Sequence, residues 1–269
     1  MRKTVESPGK TSLQLSQDFN EFNKKTISSQ HLRRLLYRNG LKSYACRKKP
    51  HLTKSMKIKR LAWAKKYISK SAEFWNNIFY SDETYFEINM NSVMNRIRRF
   101  KSSNPFASNL ISGKVKHPTK VMVWGCFSRF GLGRICVLDG YMNSCKYVEV
   151  LEEKLLPSIL SSPIESPIHL DDSASCHRTR KIKDWHSYNN ISQIDWPGNS
   201  PDLNPIENLW GFMKNKIKRR VIKNKRALIE NILQIWREEI PTSLLEKLCD
   251  SMPSRLQNTI NLKGCCTKY

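Results

Sequence analysis

Two hydrophobic periods divide this chain. Near its start, Leu15, Phe19 and Phe22 recur at helical intervals within residues 12–22, and Leu32, Leu35 and Leu36 do so in SQHLRRLLYRNGL at residues 29–41. Ser28 stands ready as an N-cap for the second segment and Gly40 falls just past its end, so the pair predicts helix, turn, helix. Residues 56–68 predict a further helix with Ile58, Leu61, Ala62 and Tyr67 as its apolar stripe, and Trp75 marks the start of the main core. The period then drops to two. In NIFYSDETYFEI, residues 77–88, the side chains of Tyr80, Asp82, Thr84, Phe86 and Ile88 share one face of a strand, while Ser81, Glu83 and Glu87 face the other way.

Residues 121–127 and 133–138 predict a hairpin turning through 129–132, with Gly131 suited to the turn, and residues 146–160 predict an amphipathic helix. Short strands at 168–171 and 191–196 flank a helix at about 178–188, and Ile206, Trp210, Met213 and Ile217 recur at steps of 4, 3 and 4 along another. Three strands, then helix, strand, helix, strand, helix, predict an α/β body with a mixed sheet flanked by helices, preceded by a small all-α module. Beyond residue 226, Leu228, Ile232, Ile235 and Trp236 predict a helical tail that docks on the core or joins a second subunit.

Charge sharpens this division. The chain carries 47 Lys and Arg against 23 Asp and Glu, a formal net charge of +24, which makes a polyanion the expected partner. Residues 1–70 hold 19 basic and 3 acidic residues, so the excess is concentrated at the N-terminal end. The expected domains are a partial helix-turn-helix module at 1–46, a basic linker and helix at 47–75, a catalytic body at 76–226 and a helical tail at 227–269. Arg33, Arg34 and Arg38 lie off the leucine stripe, where phosphates or base edges can reach them. Arg47, Lys48 and Lys49 in RKKPHLT can track a DNA backbone and also read as a nuclear import signal. The eight cysteines form no Cys-x-x-Cys pair, so reduced thiols rather than zinc are expected. No long apolar run predicts a membrane span or a secretory signal.

Three acids stand out against this pattern. Asp82 interrupts a mostly apolar strand face, where burying even a neutral polar group without partners costs roughly 2–7 kcal/mol; the alternative is an edge strand with Asp82 near a solvated end. In PIHLDDSASCH, residues 167–177, an apolar strand runs into Asp171 and Asp172, at the strand end where α/β folds place site residues. Asp172 also reads as a helix N-cap. In WPGNSPDLNPIENLW, residues 196–210, a loop with three prolines delivers Glu207 to a helix start: Asn204 as cap, Pro205 at the first helical position, and Glu207 completing what is, by itself, a capping box. Together, Asp82, Asp172 and Glu207 make a hard-oxygen donor set suited to two Mg²⁺ or Mn²⁺ ions. Paired metals ~3.5–4 Å apart can activate a nucleophile and stabilise a leaving oxygen on phosphorus. Gly211, one turn after the glutamate, leaves space for a metal or phosphate, and Lys214 and Lys218 continue that edge toward DNA phosphates or toward solvent alone. His177 reads as a local hydrogen-bonding residue or as an orienter of an acid, outside the triad.

YSDETYF at residues 80–86, VMVWGCFSRFGLG at 121–133, YMNSCKYVEVLEEKLLP at 141–157 and WPGNSPDLNPIENLW resemble, in order and spacing, successive blocks of mariner/Tc-family transposases. In that family 34 residues separate the second Asp from the final Glu, and residues 173–206 number 34; the family's second Asp also precedes a Cys-His pair, and His177 lies five after Asp172, which selects Asp172 over Asp171. The resemblance covers about residues 13–217. It implies a ribonuclease H-like fold and a Mg²⁺- or Mn²⁺-dependent acidic triad that cuts transposon ends and joins the freed 3′-hydroxyl to target DNA. It also implies a dimer on double-stranded DNA, acting in the nucleus. There are departures. The chain begins near the middle of the family's second helix-turn-helix, as an N-terminally truncated copy does; Ser173 replaces a usual Asn, Ser175 a usual Pro, and the loop at 95–106 lacks the usual Trp and Gly. A catalytically silent remnant that only binds DNA is the alternative.

Overall fold

A computed structural model of the chain describes residues 9–23, 26–43, 49–88, 119–172 and 174–269. The altered loop at 95–106, Ser173, Arg47 and Lys48 lie outside them. Residues 1–49 and 50–269 form two compact units. In the first, α1 (Ser12–Asn23) is followed by α2 (Ser29–Arg38). The hydroxyl of Ser28 accepts from the His31 amide at 3.2 Å, and Gly40 takes the positive φ of 79° that ends the second helix. Asn20 clamps the turn between them, donating to the Ile27 carbonyl and accepting from its amide. Leu15 is buried, but Phe19 and Phe22 are exposed, because two short helices cannot enclose the whole expected stripe.

In the second unit, α3 (Lys54–Tyr67) starts at Thr53, whose side chain accepts from the Met56 amide. The expected stripe is displaced: Arg60, Trp63, Ala64 and Tyr67 face inward, and Ile58 is exposed. An apolar pattern could not find this face because a buried arginine lies on it. After the short α4 (Ala72–Asn76), with Trp75 buried, comes β1 (Ile78–Glu87). Its neighbours are β2 (Lys120–Ser128) on one side and β4 (Ile168–Leu170) on the other, and the sheet runs β3-β2-β1-β4-β5. β3 (Gly131–Leu138) and β2 pair antiparallel, as do β2 and β1, while β4 and the two-residue β5 (Ser192–Gln193) are parallel additions. Asp82 therefore sits on a central strand, not an edge. The hairpin turn is tighter than expected, with Ser128 already paired with Gly131. Only Ser192 and Gln193 of the expected 191–196 strand join the ladder, although Ile194 and Trp196 bury beyond it.

Helices cover both faces. On one face lie Phe79, Trp124 and Cys126 of the sheet, covered by α5, which runs Ser144–Val150 and Leu156–Leu160 through a π turn at Leu151–Leu155, and by α6 (Arg180–Tyr188). On the other lie Tyr80, Phe86, Val121, Val123 and Phe127, covered by α3, α7 (Ile206–Ile217), α8 (Lys225–Gln234), α9 (Thr242–Asp250) and α10 (Met252–Asn261). The tail thus docks on the core: Leu228, Ile232, Ile235 and Trp236 are buried there, and the Trp236 indole donates to the Gly133 carbonyl at 2.9 Å. Gly125 makes room for this arrangement, since a Cβ on it would lie 2.9 Å from Trp210 and 3.1 Å from Trp236. Among the described residues no helix is long and apolar enough to cross a membrane.

A buried polar cluster ties three distant segments together. Arg60 grips Asp202 with two bonds, at 2.9 and 2.8 Å, and donates to the Gly264 carbonyl. Arg255 donates to the Asp202 carbonyl and to Asn208, and the Thr267 amide donates to the Asp202 carboxylate. Burial opposes its charge, but Arg60, with Thr267, outweighs that and holds the Asp202 carboxyl below its ordinary range. Arg60→Met leaves the Asp202 charge buried with half its partners gone, so urea titration of the variant is expected to give an unfolding free energy lower by about 3–5 kcal/mol.

Candidate active site

β1 supplies two consecutive acids to opposite faces of the sheet. Asp82 faces the α7 side; its Oδ1 accepts from the Glu83 amide at 2.8 Å. Asp172 follows the C-terminal end of β4, where it closes a local turn by accepting from the Ala174 amide at 2.8 Å. That bond explains its cap-like sequence: the residue receives an amide, but ahead of a short 3₁₀ turn (Ser175–Arg178) rather than a full helix. Glu207 lies in the first turn of α7. Helix geometry begins one residue later than expected, with Pro205 at the N-cap position; the Asn204 side chain still accepts from the Ile206 amide and donates to the Ser81 carbonyl, both at 3.3 Å. This bond pins the proline-rich loop directly to β1.

The three acids line one cavity of about 140 Å³, together with Trp196, Asn199, Ser200, Pro201 and Asn204. Burial, then repulsion from Glu207, Glu83 and Asp172, holds the Asp82 carboxyl well above its ordinary value. Glu207 is raised by burial and by Asp172, against the opposing pull of Lys214. Crowded, half-desolvated carboxylates of this kind are a fitting donor set for a hard divalent cation, which would relieve both the burial and the repulsion. A compact neighbouring set exists as well: one ligand atom each from Asp171, Asp172 and His177 falls within 4.8 Å of the others. It includes a nitrogen donor and lies toward the opposite side of the sheet, so the all-oxygen set suits Mg²⁺ or Mn²⁺ better.

His177 is the residue whose part the sequence understated. It is buried, stacked on Tyr147 at 3.8 Å between ring centres, with Nδ1 3.0 Å from Asp172 Oδ1 and Nε2 3.7 Å from Glu83 Oε1. Burial disfavours its charge, but Asp172, Glu83 and Asp171 outweigh that and raise its pKa. The same contact, with the Ala174 amide and Arg178, outweighs burial at Asp172 and lowers that carboxyl. Glu83, on the far face, is pushed up to about 7 chiefly by burial. Beneath it, Ser81 meets His169 at 2.7 Å and His169 meets His186 at 3.0 Å, a buried polar chain with no charge of its own because burial lowers both imidazoles.

Lys214 corrects an expectation. Instead of lying on an exposed edge it is half-buried, donating to Thr84 Oγ1 at 2.6 Å, and burial lowers its pKa against the pull of Glu207 and Asp82. The reason is register: Lys214 stands two turns after Glu207 on the helix face that crosses β1. Lys218 is exposed, as are Lys49, Arg33, Arg34 and Arg38; the guanidinium of Arg33 also donates to Ser12 at 3.2 Å. Gly211 leaves open space around its Cα.

Residues 77–229 match the model of a DDE superfamily endonuclease, and residues 1–69 match a transposase model. The chain belongs to the DDE family of transposases. It is 31% identical to the transposable element Tcb2 transposase of Caenorhabditis briggsae, over 100% of this chain and 98% of that one. It is 29% identical to the Tc1 transposase of Caenorhabditis elegans with the same coverage. Its fold is similar to that of a chain in a pre-cleavage Mos1 transpososome, with a TM-score of 0.83 at 18% identity over 99% of this chain and 78% of the other, and to one in a mariner Mos1 paired end complex with Mg, with a TM-score of 0.84. As a DDE-family transposase the protein is a metal-dependent enzyme that cuts DNA and transfers strands, and its body is the ribonuclease H-like sheet expected of that family.

The strain at Asp82 is measurable in this DDE transposase. Its folded-state carboxyl ionises at higher pH than the unfolded one, whose ordinary value is 3.8. Metal-free wild type and Asp82→Asn are therefore expected to differ little below that pH. As pH rises the wild type falls behind, by on the order of 1–3 kcal/mol once Asp82 is ionised in the folded state. In thermal melts at neutral pH the variant then melts about 2–4 °C higher per kcal/mol. Adding Mg²⁺ raises the wild-type midpoint and leaves that of the variant nearly unchanged.

Proposed function

We propose that the protein excises a DNA transposon and inserts it elsewhere, with Asp82, Asp172 and Glu207 as its catalytic and metal-binding acids. The observation that carries this reading is the convergence of those acids, from a central strand, a strand end and a helix start, on a single cavity. The donor set suits two Mg²⁺ or Mn²⁺ ions, which when bound supply Lewis acidity and an activated water at phosphorus. The chain's own residues do the positioning. β1 holds Asp82 on a rigid sheet, Asn204 fixes the loop that carries Glu207, and His177 with the Ala174 amide holds Oδ1 of Asp172. Lys214 balances part of the acidic charge beside Glu207.

In the cut, the water oxygen bonds to phosphorus as the bond from phosphorus to the 3′-oxygen breaks, freeing a 3′-hydroxyl. In the join, that hydroxyl bonds to a target phosphorus and displaces the target's own 3′-oxygen, which leaves as a hydroxyl after taking up a proton from solvent in place of the one the attacking hydroxyl gives up. No covalent protein intermediate is needed. The substrates are transposon ends and target DNA, which the basic first unit would engage through Arg33, Arg34 and Arg38, with Lys49 and Lys218 as further phosphate contacts. Bringing two ends together calls for a homodimer, and a chromosomal target places the enzyme in the nucleus. A remnant that only binds DNA would have no need of the intact acidic set.

Asp82→Asn, Asp172→Asn and Glu207→Gln are each expected to reduce joining of pre-cut end DNA in Mg²⁺ by at least about three orders of magnitude. Gel-shift affinity should stay within about twofold of wild type. Joining by any of these variants at the wild-type rate would remove the acids from the mechanism. Pairing Arg34→Ala with Arg38→Ala should lower end affinity and flatten the slope of log affinity against log salt by about 1.8, measured by titration at several salt concentrations.

A further inference from the structure

Beside the acidic cavity opens a larger cleft of about 660 Å³, within the range of about 300–1,000 Å³ typical of ligand sites. Trp196 and Asn199 line both spaces, so one leads into the other. Asn199 holds this doorway in the left-handed region, at φ 54°, a conformation asparagine tolerates better than most residues and one that concentrates at functional loops. Its amide lies 3.6 Å from the sulfur of Met56 across the cleft.

The lining has a definite chemistry. Lys59 and Lys66 project from α3 on one side, and Arg178 stands on the other, held to the Trp196 carbonyl at 3.4 Å. Asp195 is the acid among the lining residues, so cations exceed it three to one. Among the described residues none of the three cations makes an ion pair with a carboxylate. Between them, Trp63 and Trp196 pack edge to face at 4.8 Å; both are largely buried and present only their rims, which with Met56 form an apolar strip. Cations without a carboxylate partner beside an apolar strip suit phosphodiester linkages bearing unstacked bases. A duplex is too broad to enter a cleft of this volume, so a strand entering it has left its partner.

We propose that this cleft receives a short unpaired stretch of the DNA strand whose phosphate lies at the acids, two or so nucleotides long. Its phosphates meet Lys59, Lys66 and Arg178, its bases lie against Met56 and the exposed rims of Trp63 and Trp196, and Asn199 stands between the two cavities. The assignment rests on the transposase reading for the origin of the strand, but not for the chemistry of the cleft.

The test uses the full chain and a single-stranded trinucleotide carrying 2-aminopurine, too short for duplex recognition, titrated by fluorescence in Ca²⁺. Wild type is expected to bind it. Lys59→Glu with Lys66→Glu should weaken binding at least tenfold, and the milder pair Lys59→Ala with Lys66→Ala about threefold, with thermal midpoints near wild type showing that the fold survives. Equal binding by wild type and both cleft pairs, or no binding by wild type, overturns the proposal. A parallel assay of plasmid nicking in Mn²⁺ keeps the two readings apart. If wild type nicks the plasmid but cleft variants bind the trinucleotide normally, the cleft assignment fails alone. If wild type never nicks while cleft variants lose the trinucleotide, the cleft stands and the transposase reading falls.

Discussion

Arg60 and Asp202 meet almost wholly out of water, joined by two hydrogen bonds, and the geometry of the acidic cavity depends on that contact. Asp202 belongs to the loop between Trp196 and Glu207, a segment with three prolines and hardly any ladder bonds of its own. Left to itself such a loop would place the glutamate loosely. Arg60 anchors it to α3, Arg255 anchors it to α10, and Thr267 adds a third tie from the last residues. A buried ion pair is poor evidence of net stability, because desolvating both charges is expensive. Its value here lies in location: it fixes where α7 starts.

Much of this arrangement was readable before any coordinates. The period-two run at 77–88, the helix expected from Pro205 and the leucine steps at 32–36 each became the kind of element they predicted, the second starting one residue late, because short-range geometry governs all three. The family resemblance, through the Cys-His pair that ends five residues after Asp172, pointed to Asp172 over Asp171, and Asp172 is the one that lines the cavity. What the sequence hid was long-range. Arg60 looks like one of many lysines and arginines on a basic helix, and only the packing against residues 202 and 264 reveals that it is buried. Ile58 then loses its expected place inside. Lys214 was misjudged for a related reason, since helical spacing does not say which neighbour a long side chain crosses. The tail's destination was open in the sequence and follows from Trp236 stacking on Trp210.

The two faces of β1 solve different electrostatic problems. On the α7 side, Asp82 and Glu207 crowd together, with Lys214 the cation beside them among the described residues, an arrangement that invites further positive charge. On the α5 side, Glu83 and Asp171 already have the His177 imidazole among them, its pKa raised by Asp172 and by these acids against the effect of burial, while burial lowers the deeper histidines. Asp172 stands where these environments meet, touching His177 while lining the cavity. One side is therefore balanced by the protein and the other is left for a ligand.

Alternation along a strand makes this division sensitive to alignment. β1 pairs with β2 over eight consecutive positions, from Tyr80 opposite Phe127 to Glu87 opposite Lys120. Sliding β1 by a single residue would turn Asp82 toward α5 and bring Glu83 to the cavity, exchanging a short carboxylate for one a methylene longer and sending Tyr80 and Phe86 to the wrong layer. The backbone ladder thus selects which acid serves the chemistry, and apolar neighbours on either side of Asp82 guard that choice more firmly than the acid itself does.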